Sequence, residues 1–162
     1  MRLRPVTESD IPVLVELIAA PEVARWWGEH DAARLRAELL EGKRLETLVV
    51  ELEEEVIGLV EITEENDPDY RHASLDIFIR ADLHGRGFGR ESLRVVIEHL
   101  IAERGHHRFT IDPAAANERA IRSYAGLGFR PVGVLRRYER APDGRWRDGL
   151  LMDLLAEELR RP

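Results

Sequence analysis

The sequence contains no cysteine. Disulfides, thiolate metal centres, iron–sulfur clusters and a cysteine nucleophile are therefore excluded. No apolar run approaches the ~20 residues that a membrane-spanning helix requires. The opening residues, MRLRPVTESD, hold no apolar stretch of the kind a secretory signal needs, so a soluble cytoplasmic protein is expected. Basic residues are the minority, 24 Lys and Arg against 31 Asp and Glu, for a formal net charge of −7. Nucleic acid is a poor partner for such a chain, because binding a polyanion relies on a basic footprint. No Gly-x-Ser-x-Gly elbow is present, which argues against a serine acyl-enzyme. Aromatic residues are few, 6% of the chain, yet two of the three tryptophans are adjacent, Trp26 and Trp27.

What is present suits a folded unit. Hydrophobic residues make up 44% of the chain, enough to bury a core, and 162 residues fit one domain, read as spanning 1–162. Charge is uneven. Glu51, Glu53, Glu54, Glu55, Glu61, Glu64, Glu65, Asp67 and Asp69 fall in one stretch that has no basic residue. Such a block either draws in a cation or solvates a hairpin.

Periodicity orders the elements. Residues 2–6 read as a short strand. Thr7-Glu8-Ser9-Asp10 reads as a helix start with Thr7 or Ser9 as N-cap, followed by Ile11, Leu14, Val15 and Ile18 on one helical face. Pro21 ends that helix. A second helix is expected from Asp31 to Leu40 with Gly42 as its cap, which leaves Trp26-Trp27-Gly28 in a polar loop. Alternation predicts a hairpin over 45–63 that turns at the acids 53–55, then a strand from Ser74 to Arg80. Leu93, Val96, Ile97, Leu100 and Ile101 mark the best amphipathic helix. A strand at 108–111, a helix at 118–127 and paired strands at 132–138 and 150–155 complete the order. Early hairpins followed by alternating helix and strand make a mixed α/β layer fold.

The sharpest local feature is the strand from Ser74 running into Leu83-His84-Gly85-Arg86-Gly87-Phe88-Gly89-Arg90, a glycine-rich turn that opens a helix. Glycines let backbone amides approach an anion, and the first helical turn carries unpaired N–H groups and partial positive charge. The combination suits a phosphate or pyrophosphate. No lysine follows the glycines, so this is not a P-loop, and Gly85-x-Gly87-x-Gly89 departs from the dinucleotide fingerprint. Taken alone, the glycines fit a structural turn equally well.

Other candidates are each open to two readings. Leu75, Ile77 and Ile79 share one strand face, and Ser74, Asp76 and Phe78 the other. Asp76 either takes a proton from an incoming ammonium or sits on a solvated sheet face. Trp26 and Trp27 either present rings to a sugar or cation, or plug the core. Tyr124 is a half-buried helix tyrosine or a proton donor, and Asn117 alone reads as a helix N-cap. His106-His107 lacks further ligands at metal spacing, so a surface loop and no metal are expected. His30 and His99 read as solvated, and His72 is a candidate proton shuttle toward Asp76.

Gly85-Arg86-Gly87-Phe88-Gly89 after a strand, followed by Asn117-x-x-Ala120-Ile121-x-x-Tyr124-x-x-x-Gly128-Phe129, resembles the GNAT N-acetyltransferases. The resemblance implies a mixed, mainly antiparallel seven-stranded sheet flanked by about four helices. It implies acetyl-CoA as co-substrate, its pyrophosphate held by the backbone of Arg86, Gly87, Phe88, Gly89 and Arg90. The strand at Phe78 and Ile79 would hold the pantetheine arm, Asn117 would touch the cofactor, and Tyr124 would protonate the leaving thiolate. His84 stands where the family usually has Gln or Arg.

A closer resemblance is to the aminoglycoside 6′-N-acetyltransferases. It is carried by Val23-x-x-Trp26-Trp27-Gly28-Glu29 and by Thr110-x-Asp112-Pro113-x-x-x-Asn117-x-Arg119-Ala120-Ile121-Arg122-x-Tyr124. It implies that Asp76 and Asp112 line the aminocyclitol site and handle the amine, with Trp26 and Trp27 beside the substrate. Two departures stand against it: 64–72 is shorter than the usual substrate insert and 132–148 is longer, which leaves Asp143 and Asp148 unplaced. The resulting expectation is direct acetyl transfer to a primary amine of a small polycation, with no covalent enzyme intermediate. A homodimer is what the superfamily suggests. The alternatives are a protein N-terminus, polyamine or siderophore lysine as acceptor, or a non-catalytic acyl-CoA or drug-binding module.

Overall fold

The computed structural model describes residues 1–42 and 45–160. Strand β1 (Arg2–Pro5) leads through a helical turn at Glu8–Asp10 into helix α1 (Ile11–Ala19). Asp10 organises this start. Its carboxylate accepts from the Thr7 amide and hydroxyl, both at 2.8 Å, and from the Arg4 guanidinium at 2.7 and 2.8 Å. Pro21 ends α1, as expected, but its fixed φ also suits a first helical turn, and it opens a further short helix, α2 (Pro21–Trp27). Trp26 and Trp27 therefore lie in the last turn of a helix, not in a polar loop. Helix α3 (Ala32–Leu39) is capped by Asp31, whose carboxylate accepts from the Arg34 amide at 2.8 Å. It closes at Leu40 in a right-handed conformation, so Gly42 is not its cap. Gly42 instead packs against the Glu38 carbonyl, where a Cβ would come within 2.6 Å.

Strands β2 (Leu45–Leu52) and β3 (Glu55–Glu65) form the expected hairpin, with Glu53 and Glu54 both at positive φ in its turn. Then follow β4 (His72–Ile79), α4 (Phe88–Arg104), β5 (Arg108–Ile111), α5 (Glu118–Leu127), β6 (Arg130–Arg140) and β7 (Trp146–Leu155). The strands form one seven-stranded sheet in the order β1-β2-β3-β4-β5-β7-β6. All neighbours are antiparallel except β4 and β5. The sheet agrees with the sequence reading, while α2 makes the helices five rather than about four. On one face Val49, Leu59 and Phe78 pack under α1–α3. On the other, Val60, Leu75, Ile77 and Ile79 pack against α4 and α5.

One irregularity positions the site. β4 and β5 pair only at Ala73↔Phe109 and Ser74↔Thr110. Beyond Ser74 the two strands part, while the other edge of β4 stays paired with β3 through to Gly58↔Ile79. A wedge therefore opens in the middle of the sheet.

Two sequence expectations are corrected here. The acidic stretch does not gather into one cation-drawing face: Glu51 is held by Arg2 and Arg4, Glu55 by Arg80, and Glu64 by Arg104 and His106. His106 is not on a surface loop. It is 1% exposed, and its Nε2 lies 2.6 Å from the Glu64 carboxylate, which the fold brings in from β3. No helix among the described residues is long and apolar enough to cross a membrane.

Candidate active site

A cavity of about 460 Å³ lies in the wedge, bounded by the end of β4, the glycine turn and the starts of α4 and α5. Phe78, Ile79, Arg86, Gly87, Phe88, Gly89, Arg90 and Asn117, expected around a cofactor, all line it. Gly85 and Gly87 adopt φ of 78° and 89°, left-handed values that other residues resist. The first hydrogen bond of α4 runs from the Glu91 amide to the Gly87 carbonyl at 2.9 Å. The amides of Phe88, Gly89 and Arg90 therefore have no acceptor within the helix. A Cβ built at Gly85 or Gly87 would meet nothing within 4 Å, so the space before these amides is open. The Arg86 amide differs, reaching back to the Leu83 carbonyl at 3.4 Å. The side chains of Arg119 and Arg122 add positive charge at the same mouth.

The parted edge of β4 supplies main-chain groups. The Arg80 amide donates to the Ile57 carbonyl at 2.7 Å, so the Ile79 carbonyl points the other way, to the wedge. His84 Nε2 donates to that carbonyl at 2.6 Å, and His84 Nδ1 accepts from Arg119. Burial, together with the Arg119 charge, holds His84 below the usual imidazole range and favours this neutral form. His84 thus ties the glycine turn to the strand. On the same edge the Ile77 amide donates to Asp76 Oδ1 at 2.8 Å. The Ile79 amide and Ile77 carbonyl are left facing the wedge, where an extended arm can pair as an added strand.

A second cavity of about 540 Å³ adjoins the first. The carboxylates of Glu38, Glu61, Asp76, Asp112 and Glu139 face it. Trp26, Trp27, Ile77, Asn117 and Tyr124 line both cavities and so form the junction. Tyr124 is 7% exposed, and burial, with the Asp76 charge nearby, drives its phenol well above the ordinary tyrosine range. Asp76 is an exposed residue whose carboxylate opens to the second cavity, and the crowding it feels comes from the protein packed around that cavity. Burial pushes its carboxyl up to about 7, with the Asp112 and Glu139 charges adding and the Ile77 amide opposing. Glu61 is pushed up to about 8 by burial, then by the charges of Asp76 and Glu38. Asp112 accepts a hydrogen bond from the Tyr138 hydroxyl. Asn117 caps α5 by accepting from the Ala120 amide at 3.3 Å, and lines the cofactor cavity as well.

The tryptophan rings are already occupied. Trp27 meets Phe78 edge-on at 5.0 Å, and Trp26 lies between Arg25 at 4.9 Å and Arg147 at 5.5 Å. The cations attracted to Trp26 are thus the chain's own. Arg147 also donates to the Arg25 and Trp26 carbonyls at the end of α2, both at 2.7 Å, and pairs with Glu139 at 2.8 Å. It clamps the β6–β7 hairpin onto α2 at the rim of the acidic cavity. His30 was expected to be solvated, but its side chain is 7% exposed and lies 3.3 Å from Glu38 in this cavity. His72 does not reach Asp76; its ring meets the Tyr70 carbonyl at 2.7 Å instead. Asp143 and Asp148 serve the hairpin, accepting from the Arg145 and Arg137 amides at 3.0 and 2.8 Å.

Sequence reasoning missed Glu38, His30, Tyr138, Glu139 and Arg147. Glu38, Tyr138, Glu139 and Arg147 are polar on elements with solvent on one side, and His30 lies in the loop between α2 and α3, so nothing local marks them. Glu61 carried a usable signal, an acid inside an apolar strand, the same feature that singled out Asp76.

An acetyltransferase (GNAT) domain family matches residues 1–130 of the chain. The chain belongs to the GNAT acetyltransferase family. It is an N-acetyltransferase that uses acetyl-CoA as co-substrate. Among curated relatives of this GNAT enzyme, an aminoglycoside N(6′)-acetyltransferase type 1 of Klebsiella pneumoniae is 28% identical, over 88% of this chain and 78% of that one. Among solved structures, Mycobacterium smegmatis RimJ in complex with CoA-disulfide is 28% identical with a TM-score of 0.83, covering 98% of this chain and 83% of that one. Spermidine N-acetyltransferase from Vibrio cholerae, in complex with CoA and spermine, shares the fold with a TM-score of 0.83 at 23% identity, covering 97% of this chain and 96% of that one.

Proposed function

We propose that this GNAT enzyme acetylates a primary amine of a polycationic small molecule, with the 6′-amine of an aminoglycoside as the leading acceptor. The observation that carries the reading is the set of five carboxylates, Glu38, Glu61, Asp76, Asp112 and Glu139, around one cavity that meets the cofactor cavity at Tyr124. A cavity lined this way favours a ligand with several ammonium groups. The Klebsiella pneumoniae relative supports an aminoglycoside among such ligands.

In this reading the amides of Phe88, Gly89 and Arg90 hold the diphosphate, and the Ile77–Ile79 edge takes the pantetheine arm. Arg86 and Gly87 border the diphosphate, and Asn117 lies beside the thioester end. Acetyl-CoA supplies the acyl group as an activated thioester. Amine attack needs a free lone pair, so Asp76 takes a proton from the arriving ammonium. A carboxyl at about 7 suits that task near neutrality better than an ordinary aspartate. Tyr124, kept protonated by burial, donates a hydrogen bond where thiolate charge develops. The N–C bond forms as the C–S bond breaks, and no enzyme group is acylated. Holding both reactants at one junction supplies part of the rate, up to ~7–11 kcal/mol in well-oriented cases.

Steady-state assays with acetyl-CoA and a panel of kanamycin-type aminoglycosides, spermidine and an N-terminal peptide test the acceptor. The expected result is the highest kcat/KM for an aminoglycoside. Turnover of spermidine or the peptide with none for any aminoglycoside overturns the acceptor and retains polyamine or peptide acetylation in its place.

A further inference from the structure

Thr47, Glu61 and Asp76 stand in a row across β2, β3 and β4. Thr47 is directly opposite Glu61, and Glu61 is directly opposite Asp76. Two positions along each strand, Val49, Leu59 and Phe78 form the matching apolar row under α1–α3. Side chains alternate along a strand, so the polar row shares that face. Like charges directly opposite on antiparallel strands destabilise a sheet. Two carboxylates facing each other in a half-buried cavity therefore favour holding a proton between them. Thr47 is an independent sign. It is 4% exposed and its hydroxyl has no hydrogen-bond partner, whereas buried hydroxyls are normally paired.

We propose that Glu61 is a second proton-handling residue of the acetyl transfer, sharing a proton with Asp76 across the strand pair, with the unpaired Thr47 hydroxyl on its other side. The proposal rests on the Asp76 role given above. The proton count balances without a further reactant. Two N–H bonds of the acceptor's ammonium break. The first proton joins the carboxylate pair before attack and passes to water in the cavity as product leaves; the second, lost from nitrogen as the amide forms, replaces the proton that Tyr124 gives to the leaving thiolate, so coenzyme A departs as its thiol. Groups that face the pair from the packed elements are Glu38 with His30 beside it, Asp112 at the end of β5, Glu139 with Arg147, and Tyr124 and Tyr138. Burial, with the Asp76 and Glu38 charges, pushes Glu61 up to about 8, and burial pushes Asp76 up to about 7; two carboxyls that interact titrate in two steps.

The test has two arms, both on the intact chain. The first follows carboxyl titration by carbon-13 NMR in protein labelled at Glu side chains, and needs no acceptor. Glu61 should titrate well above ordinary glutamates. Asp76→Asn should move it down, because the facing charge is gone. The second arm records kcat/KM against pH with whichever amine is turned over. Glu61→Gln should lose about tenfold or more and the upper of two ionisations, and Glu61→Asp should restore both in part. A melting curve for each variant confirms folding. A Glu61 that titrates in the ordinary range, or a Glu61→Gln profile identical to the parent, overturns the pairing. A failed aminoglycoside panel overturns the acceptor alone, since the NMR arm does not depend on it.

Discussion

Asp76 and Tyr124 both line the second cavity, and their surroundings move carboxyl and phenol each in the direction its proposed task needs. An aspartate raised to about 7 is a fitting proton acceptor, and a tyrosine raised above its ordinary range keeps its proton to donate. Asp76→Asn and Tyr124→Phe should each lower kcat by ~10²-fold or more. Coenzyme A affinity, read by calorimetric titration, should hold in both. The Asp76 shift also has a cost in stability. The folded state keeps a proton that the unfolded chain releases near 3.8, the ordinary aspartate value, so stability falls as pH rises from there through about 7, by an amount that the exposure of Asp76 keeps small. Asp76→Asn should therefore raise Tm at pH 8 and leave it nearly unchanged at pH 3, as measured by differential scanning calorimetry. Asp76 itself was legible in the sequence, because an acid inside an apolar strand breaks a local pattern. The proximity of Asp112 to it, 36 positions away in the numbering, was legible only through family resemblance.

At the scale of elements, the glycine turn before α4 and the Asp10 latch before α1 are both local constructions. Gly87 holds φ of 89° with open space in front of it. Gly87→Ala should cost about 1 kcal/mol in stability from the left-handed backbone. It should also raise the coenzyme Kd roughly tenfold by placing a methyl group where the diphosphate approaches. Asp10 shows the opposite linkage to Asp76. Hydrogen bonds from Arg4 and Thr7 hold its carboxyl down to about 2, so its contribution is present above the ordinary aspartate value of 3.8 and lost as pH falls through about 2. Asp10→Asn should destabilise the protein by about 2 kcal/mol at pH 7 and much less at pH 2, read by urea denaturation. The element that escaped the sequence reading was α2. Proline ends one helix and favours the first turn of the next, so Pro21 was read for only one of its two effects. The parting of β4 from β5 had no sequence signal either, because it is a relation between strands and not a property of one.

Over the whole molecule, net charge of −7 says little about where the negative field lies. In the stretch from Glu51 to Asp69, Glu51, Glu55 and Glu64 are paired with arginines of β1, of the residue after β4 and of α4, and Glu61 is the residue of that stretch that lines the second cavity. The field that matters is assembled from α3, β3, β4, β5 and β6. Screening weakens such a field, since the Debye length falls from about 10 Å at 0.1 M to roughly 3 Å at 1 M salt. Raising salt across that range should increase KM for a polycationic acceptor by about threefold or more and leave kcat nearly unchanged. An assay at saturating acetyl-CoA checks this, and a KM indifferent to salt would remove the acidic cavity from acceptor binding.

Local chemistry in the chain determined the cofactor half of this protein. A glycine's freedom at positive φ, the unpaired amides of a helix start and the alternation of a strand all act within a few residues, so residues 74–90 read in order as a candidate anion cradle, and family resemblance supplied acetyl-CoA as its ligand. Tertiary structure alone decided the acceptor half. Five carboxylates distant in sequence meet at one cavity only in the fold, and Glu61 and Asp76 acquire their raised affinity for protons only when folding packs protein around them and sets one opposite the other. Burial and charge proximity are properties of neighbours in space, and no window along the sequence contains them.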